Sequence, residues 1–370
     1  MRYLIPTFAL LALGCGARPV GPKPAPPPEV ELEMEAVLVE AEAGGSIAVF
    51  DAEGLFNDGK AAFERQDFEA CEAHYAKLLD RFPTSKYAFY ALYNRGLCLE
   101  ELRLYGQAAA HFRRHAQLAT ELGDRRDGEF RMGANLVRTK NYSEALHLYD
   151  RLLGGDDLEP ADRAECHLRR AIARSHLKQP GRADRDLRAA ESYIRQAYSP
   201  HLQGNDLLAE VHFHRGDIYQ RLSQNVPLTL PLKKMKGNLA DKVRFFRQAQ
   251  ASFIDALNVR NSYWATASGL RLGTLYEGFY RDVLSADVPA DFDKQTRAYY
   301  LYELRKELLP LLEQSLAIYE KNITMSERIG ARNEWVDETE SRVAKLRSLI
   351  EASHRAKEPS VEPTEDPPAG

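Results

Sequence analysis

The chain has 370 residues, 44% of them apolar and 28% charged, with a formal net charge of −4. That length admits two ordinary domains or one long repeat array, and the balanced charge supplies neither a basic field for nucleic acid nor an acidic tail. Val and Thr are sparse beside Ala, Leu, Arg and Glu, which favours helix over sheet, and four cysteines do not make a disulfide scaffold.

Residues 1–14 read as a signal peptide: one positive charge at Arg2, an apolar run over 3–13, then Gly14 and Cys15. The run is too short to span a bilayer as a mature helix. A small residue before Cys15 resembles the bacterial lipobox, in which the cysteine is acylated and becomes the new N-terminus; Ala12 and Leu13 depart from the commonest form. The Pro-rich stretch 16–29 has almost nothing to bury, so 15–50 is expected to be an acylated cysteine followed by a mostly disordered tether. Gly16, rather than Asp, after the cysteine resembles the outer-membrane sorting signal. Within 29–50 the pattern partly alternates, while its Ala and Glu content also suits a helix. Asp51 is placed to cap the helix that follows.

From Gly59 a period emerges. Gly59, Cys71 and Tyr75 recur as Gly96, Ala108 and Phe112, and again as Gly133, Ala145 and Tyr149, with starts 37 residues apart. Small residues let two antiparallel helices approach, and an aromatic four residues further on the same face fills the gap between neighbouring pairs. The pattern resembles the tetratricopeptide repeat. It implies an all-α, right-handed superhelical solenoid of antiparallel helix pairs over 51–356, with about six repeats. A fourth copy keeps the offsets at Ala171, Ala183 and Leu187, with Pro180 at the turn. A fifth starts at Gly216 and Tyr219, passes through an enlarged loop holding Pro227, Pro231 and Gly237, and resumes over about 239–257. A sixth centres on Gly273 and Tyr276, with a loop through Pro289 and a long helix over about 294–329 in which Pro310 predicts a kink. Residues 335–356 read as a capping helix and 357–370 as a disordered tail. The inserted loops, 222–242 and 284–294, are either contact surfaces or spacers.

No phosphate-loop, zinc-protease or hydrolase-elbow motif occurs, so the chain is not expected to be an enzyme, to hold a cofactor or metal, or to act on a small-molecule substrate. Cys71, Cys98 and Cys166 lack metal-knuckle spacing, and Cys71 takes the small-residue position of its repeat. His111 and His115 stand one helical turn apart with no supporting carboxylate. Asn322, Ile323 and Thr324 form a glycosylation triplet that has no meaning in a bacterial protein.

Tetratricopeptide solenoids line their concave surface with the first helix of each pair. The resemblance therefore picks out Phe56, Asn57 and Lys60, then Tyr90, Tyr93, Asn94 and Leu97, then Phe130, Arg131 and Arg138 as protein-binding candidates. The carboxylate clamp of chaperone-binding relatives is matched only at Asn94 and Arg131. Residues 263–347 are more particular and look like the C-terminal region of large tetratricopeptide proteins of myxobacteria, a group that includes an outer-membrane lipoprotein of the adventurous gliding machinery. This resemblance implies a lipid-anchored scaffold on the outer membrane, facing the periplasm and positioning envelope proteins, with a trans-envelope gliding complex as its setting. Alternatives are an accessory of outer-membrane protein insertion and a helical module of a cell-wall enzyme.

Overall fold

The computed structural model describes residues 37–41, 47–355 and 358. The leader, Cys15 and the Pro-rich stretch 16–29 lie outside the described residues, as do 356–357 and 359–370. Two strands, β1 (Val37–Ala41) and β2 (Ile47–Asp51), pair antiparallel with Val39 opposite Val49. The alternation within 29–50 is thus a strand signal, and a hairpin occupies the end of the span expected to be tether. Leu38 and Phe50 pack onto the first helix pair, while Val37, Val39 and Val49 face solvent. Lys77 pins the hairpin, its Nζ lying 2.5 Å from Glu40 Oε2 and 3.3 Å from the centre of the Phe50 ring.

Thirteen helices follow among the described residues. The first eight are α1 (Ala52–Glu64), α2 (Phe68–Arg81), α3 (Ala88–Glu101), α4 (Tyr105–Leu118), α5 (Leu122–Arg138), α6 (Tyr142–Leu153), α7 (Pro160–His176) and α8 (Pro180–Tyr198). The rest are α9 (Asp206–Asn225), α10 (Leu232–Val259), α11 (Ser262–Leu284), α12 (Lys294–Ile329) and α13 (Glu334–Arg355). Each helix packs on the one before and the one after it, giving a solenoid of paired helices of the tetratricopeptide type. Odd-numbered helices up to α11 open the pairs and even-numbered helices close them. Asp51, Asp67, Asn205, Asn261 and Asp293 cap α1, α2, α9, α11 and α12 by accepting a backbone N–H with the side chain.

The pairs are held by one repeated contact. A Cβ added to Gly59 would stand 2.8 Å from the Tyr75 ring, and one added to Gly96 would stand 2.7 Å from Phe112. At Gly133 the distance to the Tyr149 hydroxyl would be 2.4 Å, at Gly216 it would be 2.5 Å to Phe253, and at Gly273 it would be 2.0 Å to Tyr319. No side chain fits, so glycine is required for the ring to enter. In the fourth pair Ala171 replaces the glycine and Leu187 replaces the ring, both fully buried. One added methyl is matched by one smaller partner.

The first four turns within pairs share a backbone device. Gln66, Arg103, Lys140 and Lys178 have φ between 58° and 63°. The next N–H in each case reaches five residues back, as in Asn141 N to Leu136 O at 2.8 Å. This is the Schellman ending, built without its usual glycine. Cys71 and Cys98, both buried, form a disulfide that ties α2 to α3 with Cα atoms 6.1 Å apart. Cys166 is buried and free, and burial pushes its thiol up to about 12.

One expectation is corrected. Helix α10 begins at Leu232, not near 239, so Gly237 lies within it and the loop of the fifth pair is only 226–231. Within α10, buried Lys242 donates from its ammonium to Ser223 O at 2.6 Å and pairs with Asp282 at 2.7 Å, fixing the end of α9 against α10 and α11. Asn322 of the glycosylation triplet is buried inside α12, donating to Thr266 O at 3.0 Å. Helix α12 continues through Pro310.

A non-glycine residue in the left-handed region costs about 1 kcal/mol. Lys140→Gly should therefore raise stability in urea unfolding, by up to about 1 kcal/mol; a fall would mean that the lysine stem stabilises the turn. In thiol labelling of the denatured, unreduced protein, Cys166 should react while Cys71 and Cys98 react only after reduction.

Candidate functional site

Opening helices touch one another along the array (α1 with α3, α5 with α7, α7 with α9, α9 with α11), whereas the closing helices α2, α4, α6, α8 and α10 are spread apart. The opening helices therefore form the concave side. Its polar side chains are tied in a ladder that crosses from helix to helix. On α3, buried Glu100 accepts from Arg131 Nη1 of α5 at 2.9 Å, and Arg138 Nη1 lies 3.7 Å from the same carboxylate. Asn135, fully buried, donates to Glu100 as well. Further along, Arg169 of α7 pairs with Glu210 of α9. Arg221 of α9 donates to Ser175 Oγ of α7 at 2.6 Å, and Asp217 of α9 lies 3.5 Å from Arg271 of α11.

Two clefts open along this face. The first, about 400 Å³, lies between α1 and α3 and is lined by Phe56, Lys60, Phe63, Glu64, Tyr75, Asn94 and Leu97. Its floor is aromatic and its rim carries one charge of each sign. Asn94 donates to the Tyr75 hydroxyl at 3.2 Å, which orients both groups. The second, about 460 Å³, spans α5 to α11, with Arg138, Arg169, Glu210, His214, Tyr263 and Trp264 in its wall. Trp264 Nε1 donates to Asp206 at 3.0 Å and the Tyr263 hydroxyl donates to Glu334 at 2.8 Å, so both rings are held at the surface by their polar tips.

Of the residues singled out from sequence, Phe56, Lys60, Asn94 and Leu97 are brought together in the first cleft. Asn57 is exposed beside it. Arg131 and Arg138 stand in the ladder, and Arg138 also covers the Tyr105 ring at 5.1 Å. Tyr93 and Phe130 are half-buried packing residues, with Tyr93 edge-on to Phe112 at 5.3 Å. Tyr90 is not with the others: it lines a cleft between α3 and α4, alongside Phe89, His111 and Arg114. Tyr90 and Asn94 are one helical turn apart, but Tyr90 is exposed and shares its cleft with Pro83, Thr84 and Ser85 of the α2–α3 loop. The carboxylate-clamp match is spent internally, Asn94 on Tyr75 and Arg131 on Glu100.

The sequence reading reached the second cleft only at Arg138. Arg169 and His214 sit two residues before Ala171 and Gly216, the repeat position that Asn94 and Arg131 hold before Gly96 and Gly133, so the signal was present. Burial alone would raise the Glu210 carboxyl, but Arg169 and His214 outweigh it and hold it at about 2. Burial lowers His111 to about 4, and Arg95 adds to the effect. His115, also lowered by burial, stacks on Phe89 at 4.3 Å. Among the described residues no group of three His, Cys, Asp or Glu side chains could hold a metal ion, and no helix is long and apolar enough to cross a membrane.

No known family profile matches the chain, and no curated protein is similar to it in sequence. Solved structures with similar helical arrays include the apo form of RapI, at 11% identity over 81% of this chain and 99% of that one, with a TM-score of 0.47. A tetratricopeptide repeat protein from Parabacteroides merdae is 12% identical over 82% of this chain and 99% of that one, TM-score 0.39. MamA from Desulfovibrio magneticus RS-1 is 17% identical over 54% of this chain and 96% of that one, TM-score 0.37. The repeat type assigned to this chain rests on its own geometry.

Acid should destabilise the array in two stages. His111 has a folded pKa below its unfolded value near 6.5, so the unfolded chain takes the proton first and stability falls from about pH 6.5 towards pH 4. The Glu210 contribution, present above its unfolded value near 4.3, is lost as pH falls from about 5 towards 2. In denaturant titrations at stepped pH, His111→Gln should flatten the upper stage and Glu210→Gln the lower. Unchanged profiles would contradict these assignments.

Proposed function

We propose that the chain is a protein-binding scaffold whose concave face holds an extended segment of another protein. One observation carries the reading: opening helices from α1 to α11 form a single continuous face whose internal ion pairs leave an apolar cleft at one end and an aromatic, charged cleft further along. An extended peptide can place an apolar side chain between Phe56 and Leu97 and lie along the guanidinium groups towards Trp264. Because the ladder is already paired, the face is ordered before a partner arrives, which limits the entropy lost on binding.

The setting we propose is the bacterial envelope, with the chain acylated at Cys15, carried by the outer membrane and facing the periplasm. The lipobox-like Gly14–Cys15 supports the anchor, and the Cys71–Cys98 bond suits an oxidising compartment. The resemblance over 263–347 supports a trans-envelope gliding complex as the assembly in which the scaffold positions its partners.

Cross-linking in living cells, followed by purification and mass spectrometry, tests the reading. Wild-type protein should capture envelope proteins, and Asn57→Glu combined with Lys60→Glu, both at exposed positions, should reduce that capture about tenfold or more without shifting the melting temperature. Capture that ignores both substitutions would overturn the groove. Labelled fatty acid should enter the wild type and not Cys15→Ala. Recovery of inner-membrane motor proteins would support the gliding setting, and recovery of the outer-membrane insertion barrel instead would replace it.

A further inference from the structure

The last two pairs break the dimensions of the first four. In α2, α4, α6 and α8 the key side chain (Tyr75, Phe112, Tyr149, Leu187) comes seven positions after the first helical residue. In α10 the interval from Leu232 to Phe253 is 21, and in α12 that from Lys294 to Tyr319 is 25. The opening helices α9 and α11 lengthen by only one to two turns, so the starts of α10 and α12 run past them by roughly 15 Å or more at about 1.5 Å per residue. Both protrusions leave the same rim of the array. Their loops are bonded to one another there: Asp287 N donates to Leu228 O at 3.0 Å, and Leu230 N donates to Asp287 Oδ2 at 3.0 Å.

The composition of these protrusions is unlike the rest of the surface. On α10, Leu232, Met235 and Leu239 recur at helical spacing, with Leu232 54% and Leu239 38% exposed. Lys233, Lys234 and Lys236 stand among them. The start of α12 adds exposed Tyr299 and Tyr300 beside Lys294 and Arg297. These five cations have no ion-pair partner among the described residues, whereas most arginines on the repeat faces are paired, as Arg95 is to Glu72 and Arg170 to Asp186. The nearby carboxylates of Asp287 and Asp293 accept backbone N–H groups from Leu230 and Thr296, and Asp241 pairs with Arg244. Asp291 remains as an uncommitted acid on the connecting loop.

We propose that the protruding starts of α10 and α12 form a foot that docks on an anionic lipid surface. A short amphipathic helix start with leucines on one stripe and lysines around it lies in the headgroup plane, apolar side chains inward and ammonium groups on lipid phosphates. Tyrosines favour the same depth, with the ring in the acyl boundary and the hydroxyl in water. The loop-to-loop hydrogen bonds and the buried Lys242–Asp282 pair hold the foot rigidly to the solenoid. Contact through the foot would set the groove at a fixed angle to the membrane. The inference stands independently of the anchor at Cys15 and of what the groove binds.

Flotation with vesicles of phosphatidylcholine, alone or mixed with phosphatidylglycerol, tests it. The chain from Gly16 onward retains every described residue and removes any acyl group or leader. It should float with the anionic vesicles and not with the neutral ones, and added salt should weaken the binding. Each lysine near an anionic surface strengthens binding about fivefold, so reversing Lys233, Lys234 and Lys236 to Glu should lower partitioning by about a hundredfold or more. The melting temperature of that variant reports that the fold survives. Leu232→Ser with Leu239→Ser should also weaken binding, without altering its salt dependence. Equal flotation with both vesicle types, no flotation with either, or full binding by the lysine variant would each overturn the proposal. A protein captured through the foot in the absence of vesicle binding would do the same.

Discussion

Entry of one large side chain into a gap left by a missing Cβ sets the geometry of this molecule. Five times along the chain a ring from a closing helix lies against a glycine of its opening helix. Helix axes can come that close only where one surface lacks a side chain. The contact fixes the separation and rotation of the pair, and stacking pairs by the same rule bends the array until the opening helices meet. A concave face is therefore the consequence of a local packing rule repeated at intervals of 37 or 38 residues through the fourth pair and at longer intervals in the last two. The exception supports the rule, because Ala171 and Leu187 change together and keep the volume.

That arrangement decides where function can sit. Closing helices spread apart and expose ordinary solvated surface, while opening helices converge and bring charged side chains from neighbouring pairs within reach of each other. Glu100 and Glu210 are buried by this convergence, each paired with an arginine from a neighbouring opening helix, and Arg169 and His214 hold the Glu210 carboxyl ionised. Buried ion pairs of this kind add little net stability. They order the face instead, leaving the cleft between α1 and α3 and the one along α5 to α11 as the places where a partner can add contacts.

The repeat was legible in the sequence because its signal is local: small residue, small residue, aromatic, at offsets that a helix pair enforces. Hairpin 37–51 was half legible, since Val37, Val39 and Val49 alternate with Leu38 and Phe50, but Ala and Glu in the same stretch argue for helix. The start of α10 was misread because Pro227, Pro231 and Gly237 all speak for a loop. Pro231 is the residue before the first helical turn, and Lys242 ties the helix to Ser223, nineteen residues earlier. Tyr90 and most of the second cleft failed for another reason. Which face a side chain joins depends on loops and on helices more than thirty residues away, as with Glu100 and Arg131, and a single repeat does not encode that pairing.

A double-mutant cycle on the third pair tests the packing rule most directly. Gly133→Ala and Tyr149→Leu are made singly and together, and unfolding free energies are measured in urea. Alone, the first forces the ring out and the second leaves a void, so each should destabilise the protein by about 1 kcal/mol or more. Together they recreate the Ala171–Leu187 pairing, so the double variant should be markedly more stable than the sum of the two losses allows, with a coupling of about 1–3 kcal/mol. Strictly additive losses would show that the glycine and the ring do not act as a unit, and the account of the array would fail with them.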